Sequence, residues 1–249
     1  SWLAIWLPAI RPRTLPLACG SIVLAAGLAW QHQVFDLGIL LLCLITAILL
    51  QIISNLANDY GDAITGADDE QRIGPMRVMQ AGLVTQGQMK RAIALTTLLA
   101  VVAGLSLLEY VFAENGWQLL IFVGLGLLSI VAAVTYTMGK HPYGYIGLGD
   151  VAVFLFFGLV ATMGSYYVQT EKLTWQSFVV AIPMGSLACA LLAINNLRDR
   201  AQDELVGKRT MAVRLGDAGA RKIFIALLLL AHVSALVVPG GNTLITLLL

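Results

Sequence analysis

Long apolar runs alternate along the chain with short polar stretches, and each run is close to the length that crosses a bilayer. A helix needs roughly 20 apolar residues to span the hydrocarbon core. Runs of about that length without Lys, Arg or Glu cover 14–35, 37–58, 92–108, 115–139, 151–170, 173–197 and 223–239. Pro239-Gly240-Gly241-Asn242 reads as a turn, and 243–249 begins an eighth run that stops with the chain. The pattern predicts an all-α polytopic membrane bundle, seven spans and the start of an eighth, in one domain over 1–249. The first residue is Ser1 rather than Met and no signal peptide is visible, so both ends are expected to be truncated.

Composition narrows the class. Hydrophobic residues make up 59% of the 249, charged residues only 12%, and the mean hydropathy is +0.84. Soluble domains carry roughly 25% charged residues, so an ordinary soluble enzyme and a disordered segment are excluded. The net charge of +1 offers no electrostatic footprint for nucleic acid. Cys19, Cys43 and Cys189 all lie within apolar runs without CxxC spacing, and read as small packing residues.

The distribution of charge gives an orientation. Of the 15 Lys and Arg residues, all but Lys172 lie at the N-terminus or in the segments that follow even-numbered spans. The positive-inside rule therefore places the N-terminus and those segments in the cytoplasm. In a bacterium this means a multi-pass protein of the cytoplasmic (inner) membrane. Trp2, Ile5 and Trp6, ahead of Pro8 and Arg11, predict a short amphipathic segment lying in the membrane interface.

Two cytoplasmic segments carry unusual chemistry. The second span runs into Asn55-Leu56-Ala57-Asn58-Asp59-Tyr60-Gly61-Asp62, and the sixth into Asn195-Asn196-Leu197-Arg198-Asp199-Arg200-Ala201-Gln202-Asp203. If both helices continue past their apolar runs, Asn55 and Asp59 share a face with Asp62 beside them, and Asn195, Asp199 and Asp203 form a second stripe. Carboxylates on one face repel, so each stripe needs a metal cation or ion pairs. Oxygen-only ligands with no His or Cys nearby favour Mg²⁺ over zinc. Helix-end pairing with Arg198, Arg200 or Arg72 would account for one cluster alone. Two Asn-x-x-x-Asp clusters, on one membrane side and four spans apart, point to a shared site and to an internal four-helix repeat. Mg²⁺ is usually shared with substrate phosphates, and Arg72, Arg77, Lys140, Lys208 and Arg209 are near enough in sequence to hold them. Singly, each basic residue also fits a plain topological charge. Together with the acids they describe a site for a metal-bound diphosphate whose tail is a lipid.

Asn58-Asp59-x-x-Asp62 and Asp199-x-x-x-Asp203 resemble the paired aspartate motifs of the UbiA-type intramembrane aromatic prenyltransferases. Tyr136-x-x-x-Lys140 is similar to the Tyr/Lys element after that family's fourth helix. The runs 55–62, 72–77, 143–150 (Tyr-Gly-Tyr-Ile-Gly-Leu-Gly-Asp) and 207–216 are most similar to the branch acting on 1,4-dihydroxy-2-naphthoate in menaquinone biosynthesis. Departures are Gly66, with Asp68 and Asp69 nearby, where a third acid often stands, and His141 after the Lys of the Tyr/Lys element.

The resemblance implies nine helices in a full chain and a transferase mechanism. Asp59, Asp62, Asp199 and Asp203, assisted by Asn55 and Asn195, would hold Mg²⁺ on the diphosphate of a polyprenyl donor. Asn55, Asn58, Asn195, Lys140, Arg72, Arg77, Lys208 and Arg209 would contact substrate. Tyr136 would shield the allylic cation through its ring face, and the naphthoate ring would attack it with loss of CO₂. Asp150, at the start of the fifth span, is a candidate for handling ring protons, although a helix N-terminal acid needs no such role. Three alternatives remain: the same chemistry on 4-hydroxybenzoate, homogentisate or a porphyrin side chain; a cation-coupled transporter; and a diphosphate-binding scaffold without turnover.

Overall fold

The computed structural model describes residues 2–66, 75 and 77–238. Its elements are α1 (Trp2–Ile10), a 3₁₀ turn (Pro12–Thr14), α2 (Leu15–Gln31), α3 (Leu37–Thr65), α4 (Gln86–Phe112) and α5 (Gly116–Thr135). A second 3₁₀ turn (Tyr143–Ile146) leads to α6 (Gly149–Val153), a π-helical segment (Phe154–Met163) and α7 (Gly164–Thr170), which run on as one rod. Then come α8 (Trp175–Leu205) and α9 (Met211–Leu236). Among the described residues there is no strand, and seven helices are long and apolar enough to cross a membrane. The chain is a multi-pass membrane protein. The turn expected at 239–242 and the run 243–249 lie outside the described residues.

Helix ends follow local chemistry rather than the edges of the apolar runs. Asp36 caps α3 by accepting from the Ile39 amide at 2.9 Å, and Thr85 with Gln88 forms a capping box that starts α4 at Gln86, ahead of the apolar run. Thr174 with Ser177 does the same for α8. The two acid-bearing helices do continue, α3 to Thr65 and α8 to Leu205. Each carries its Asp stripe past the apolar run on unbroken helix, as the Asn-x-x-x-Asp reading requires. Gly216 breaks α9 near its start, with φ 67° and ψ 178°, a conformation open to a residue without Cβ.

The helices sit unequally in the bundle. The membrane window of α8 is 67% buried and that of α5 only 6%, so α8 is the central pillar and α5 faces outward. The main packed neighbours are α3 with α4, α2 with α3, α8 with α9, and α8 with the π segment. In α2–α3–α4 and again in π segment–α8–α9, helices consecutive in the chain pack on one another. The predicted interfacial segment is helical, and Ile5, Trp6 and Ala9 pack on Leu56, Val78 and Met89 at the acid-bearing end of α3.

The π segment and α8 approach closely through two glycines. A Cβ on Gly158 would stand 2.8 Å from the Gly185 Cα and 3.1 Å from the Ala181 carbonyl. Small residues at such crossings let membrane helices gain dispersion energy where the hydrophobic effect gives nothing. The hydroxyl of Ser21 on α2 donates to the Phe157 carbonyl in the π segment at 2.6 Å. Gly158→Ala is therefore expected to lose about 1–3 kcal/mol by overpacking. Gly124→Ala, which meets nothing within 4 Å, serves as the control. Thermal unfolding of the two variants in detergent checks this, with a lower midpoint expected for Gly158→Ala only.

Candidate active site: a buried acidic hub above a polar-throated cavity

The far end of α3 is held by the segments that follow α3, α5 and α8. Gly61 allows the first contact: a Cβ there would lie 2.5 Å from the Thr137 carbonyl oxygen. The Thr137 hydroxyl lies 2.9 Å from the Ala57 carbonyl and 3.1 Å from the Asn58 Oδ1. The 143–150 segment then folds across the helix ends. Its Tyr145 carbonyl accepts from the Arg209 amide at 2.8 Å, and its Ile146 carbonyl from the Arg214 guanidinium at 2.7 Å.

Asp62 is the centre of this assembly and is 3% exposed. Arg77 pairs with its Oδ2 at 2.9 Å, the Tyr145 hydroxyl donates to its Oδ1 at 2.9 Å, and the Lys208 ammonium lies 3.5 Å from Oδ1. Lys208 also lies 3.4 Å from Asp203, so one ammonium bridges the two aspartate motifs. It stands 5.1 Å from the centre of the Tyr145 ring, within cation–π range. Burial and the Asp62 charge hold the Tyr145 phenol well above the ordinary tyrosine range, so it stays protonated and donates. Thr65 shares that hydroxyl at 2.6 Å.

The other acids occupy distinct positions. Asp59 is buried, receives the Val78 and Met79 amides, and feels the Arg77 and Arg11 charges. Its Oδ1 has no hydrogen-bond partner, and neither does Oδ2 of Asp203. Asp199 is half-buried and held bidentately by Arg198, both contacts at 2.6 Å. Arg200 pairs with Asp217 at 2.6 Å. Asp150 sits in the first turn of α6, where its carbonyl accepts from Cys189 Sγ at 3.1 Å. Among the described residues no three His, Cys, Asp or Glu side chains converge into a preformed metal cage.

Below the hub lies a cavity of about 490 Å³, within the usual size range of small-molecule sites. Arg11, Thr14, Asn55, Asn58, Tyr136 and Asn195 line its polar throat, while Cys43, Leu107, Phe122 and Val168 line its apolar depth. Both motifs reach the throat through their asparagines, and the hub carboxylates stand behind it. Asn55 is already committed: it donates to the Ile10 carbonyl at 2.8 Å and to Thr14 at 3.0 Å, and accepts from Gln51 at 3.2 Å. In this structure it tethers the N-terminal segment. The Tyr136 ring fits between Gly144 and Gly149, where a Cβ on either would meet it at 3.0 Å. It stands edge-on to Tyr143 at 5.4 Å. Burial, with Asp62 and Asp150 adding to it, pushes the Tyr136 phenol well above its ordinary value.

The basic residues divide clearly. Arg77 and Lys208 are buried in the hub, whereas Lys140 is exposed and off the cavity wall, and Arg209 turns its side chain outward while its amide pins Tyr145. Arg72 lies outside the described residues. Tyr145, Arg11, Thr14 and Gln51 were not singled out by the sequence. Gln51 had a signal, since it stands one helical turn before Asn55 inside an apolar run. Tyr145 sat within the 143–150 motif with nothing to single it out. Arg11 is indistinguishable from a topological charge until the fold turns it into the cavity.

Comparison with known proteins shows the family of the chain. Residues 19–249 match the model of the UbiA prenyltransferase family. The chain belongs to that family. It is 50% identical over 224 residues to the 1,4-dihydroxy-2-naphthoate octaprenyltransferase of Escherichia coli K12, covering 90% of this chain and 72% of that protein. The enzyme of the same name from Mycobacterium tuberculosis is 40% identical, covering 92% and 76%. The 2-carboxy-1,4-naphthoquinone phytyltransferase of Synechocystis is 26% identical, covering 85% and 66%.

Removing one partner from a buried ion pair costs about 3 kcal/mol or more, because the other charge is left desolvated. Arg77→Met is expected to lower the thermal midpoint of the detergent-solubilised protein by several degrees. Lys140→Met, at an exposed side chain, is expected to leave it within about 0.5 kcal/mol of the parent. Equal losses in the two variants would contradict the division between hub and surface cations.

Proposed function

We propose that this prenyltransferase moves a polyprenyl group from polyprenyl diphosphate to 1,4-dihydroxy-2-naphthoate, releasing CO₂ and giving demethylmenaquinone. The observation that carries this reading is the 50% identity, over most of both chains, to a relative named for that acceptor. The cavity supports it independently, since an apolar chamber leading to a cluster of acids and cations suits a lipid tail with an anionic head. We place the protein in the bacterial inner membrane with the hub cytoplasmic, on the strength of the basic-residue asymmetry.

The residues present fit a divalent ion. Two buried carboxylate oxygens, one in each motif, lack partners, and a bare buried carboxylate oxygen is costly without a cation or donor. Neither motif completes a coordination shell, which suits Mg²⁺ held by one or two carboxylates and by substrate phosphates. Asp59 and Asp62 would hold it from α3, and Asp199 and Asp203 from α8, with Asn195 at the throat. Bound there, Mg²⁺ supplies positive charge to the diphosphate as its bond to the prenyl carbon breaks.

The chain's own residues do the rest. Arg77 and Lys208, now on Asp62 and Asp203, are placed to exchange a carboxylate for a diphosphate oxygen. The C–O bond of the donor breaks with its electron pair leaving on the diphosphate. Tyr136, kept protonated beside the throat, offers a ring face to the allylic cation. The apolar cavity excludes water that would otherwise capture that cation. The carboxyl-bearing ring carbon forms the new C–C bond, and the electrons of its C–COO⁻ bond return to the ring as CO₂ departs.

With carboxyl-labelled dihydroxynaphthoate, label is expected to leave as CO₂ in step with quinol formation. Label retained in the prenylated product, or preference for 4-hydroxybenzoate, would overturn the acceptor assignment and leave the family intact. Asp59→Asn and Asp203→Asn are each expected to lower kcat about a hundredfold or more, the scale of losing one charge-stabilising group, and to raise the Mg²⁺ concentration needed. Normal Mg²⁺ dependence in both variants would count against the metal reading.

A further inference from the structure

We propose that the polar throat is the acceptor subsite, in which Gln51 accepts a hydrogen bond from a ring hydroxyl and Arg11 takes the carboxylate. The inference rests on the prenyl-transfer reading above and extends it to two residues outside both aspartate motifs.

Around Thr14, Gln51 and Asn55 the throat holds a hydrogen-bond network that leaves one buried atom unmet. The Thr14 hydroxyl donates to the Arg11 carbonyl at 3.0 Å and accepts from Asn55 at 3.0 Å and Gln51 at 3.3 Å. The second Gln51 contact, from the same Nε2, goes to the Asn55 Oδ1 at 3.2 Å, and the Asn55 amide also reaches the Ile10 carbonyl at 2.8 Å. These bonds fix the orientation of the Gln51 amide, because a flip would set its oxygen against the Asn55 oxygen. What remains is Gln51 Oε1, a buried acceptor without a partner on a residue that lines the cavity and is 8% exposed. A buried carbonyl oxygen left unmet is costly, and a ligand that fills it gains the difference.

The vacancy selects a chemistry. A lone acceptor repels diphosphate oxygens and an apolar tail leaves it unmet, so it calls for a hydrogen-bond donor. On the same cavity wall, Arg11 is the one charged side chain among the described residues that line it. Its backbone is left-handed, φ 53° and ψ 69°, between α1 and the 3₁₀ turn. The Asn55–Ile10 and Thr14–Arg11 bonds brace that turn from both sides. A hydroxyl donor next to an anion is the signature of an aromatic hydroxy acid. The Arg11 charge also reaches Asp59 and Asp62, which sets the carboxylate at the border of throat and hub and leaves Arg77 and Lys208 for the diphosphate.

The test is equilibrium binding and steady-state kinetics on the full chain in lipid nanodiscs, removing groups from residue and ligand together. Gln51→Met is expected to weaken 1,4-dihydroxy-2-naphthoate binding about threefold to tenfold, the range of one neutral hydrogen bond. Polyprenyl diphosphate KM should stay within twofold of the parent, which also shows that the variant is folded. One of the two monohydroxy analogues, 1-hydroxy-2-naphthoate or 4-hydroxy-2-naphthoate, should bind Gln51→Met and the parent equally. Arg11→Gln is expected to weaken the carboxylate ligand about tenfold to a hundredfold and to leave 1,4-dihydroxynaphthalene unaffected. A donor KM that rises while acceptor binding holds would move Arg11 to the diphosphate and overturn the proposal. Unchanged acceptor binding in Gln51→Met would mean that Oε1 meets only water, and would overturn it too. If the parent prenylates 4-hydroxybenzoate but not the naphthoate, the acceptor identity fails while the subsite stands, because that acid carries the same donor and anion.

Discussion

Burying carboxylates at the end of a membrane bundle is the constraint on which this structure turns. Asp59, Asp62 and Asp203 are each at most 3% exposed, and an isolated buried charge costs several kcal/mol. The fold meets that cost by bringing two cations and a hydroxyl donor to the acids from segments far apart in sequence. Arg77 arrives from the loop after α3, Lys208 from the loop after α8, and Tyr145 from the turn before α6. Each of those segments is tied to the carboxylate that its side chain meets. The site and the closure of the bundle end are therefore one arrangement, and variants at the hub cannot be read as purely catalytic or purely structural.

Close contacts between small residues give that arrangement its shape. Gly61 lets the segment after α5 lie on α3, Gly144 and Gly149 make room for the Tyr136 ring, and Gly158 meets Gly185 between the π segment and α8. In lipid, such contacts replace the hydrophobic effect as the source of helix–helix adhesion. They also set the cavity wall, because the π segment carries Phe157 along it and is tied to α2 through Ser21.

Charge and apolar surface are kept apart along one axis. The hub holds formal charges of both signs, the throat holds neutral amides, hydroxyls and Arg11, and the depth is lined by hydrocarbon and ring carbon. A ligand with an anionic head, a reacting carbon and a prenyl tail is thus graded along its length by polarity. The oxygens of Asp59 and Asp203 that lack partners lie at the charged end, where a cation and its phosphates would complete them.

Seven spans, their order, the side that carries the basic residues, and the paired Asn-x-x-x-Asp stripes were all legible in the chain. Each is a local property, set by the length of an apolar run, the period of a helix or the count of charges beside it. In the sequence, the continuation of α3 and α8 past their apolar runs is only a condition, and the structure supplies it. Partnership among the charges was not legible. Lys140 and Lys208 look alike in sequence, both being cytoplasmic lysines near a motif, yet one is exposed and the other bridges two buried aspartates. Tyr145 and Gln51 acquire meaning through residues distant in the chain, Asp62 for the first and Thr14 for the second. Pairings of that kind depend on which loops the bundle folds together, and on the cost of burying a charge once they have met. Only the tertiary structure decides that, because the energy belongs to the contact and not to either residue.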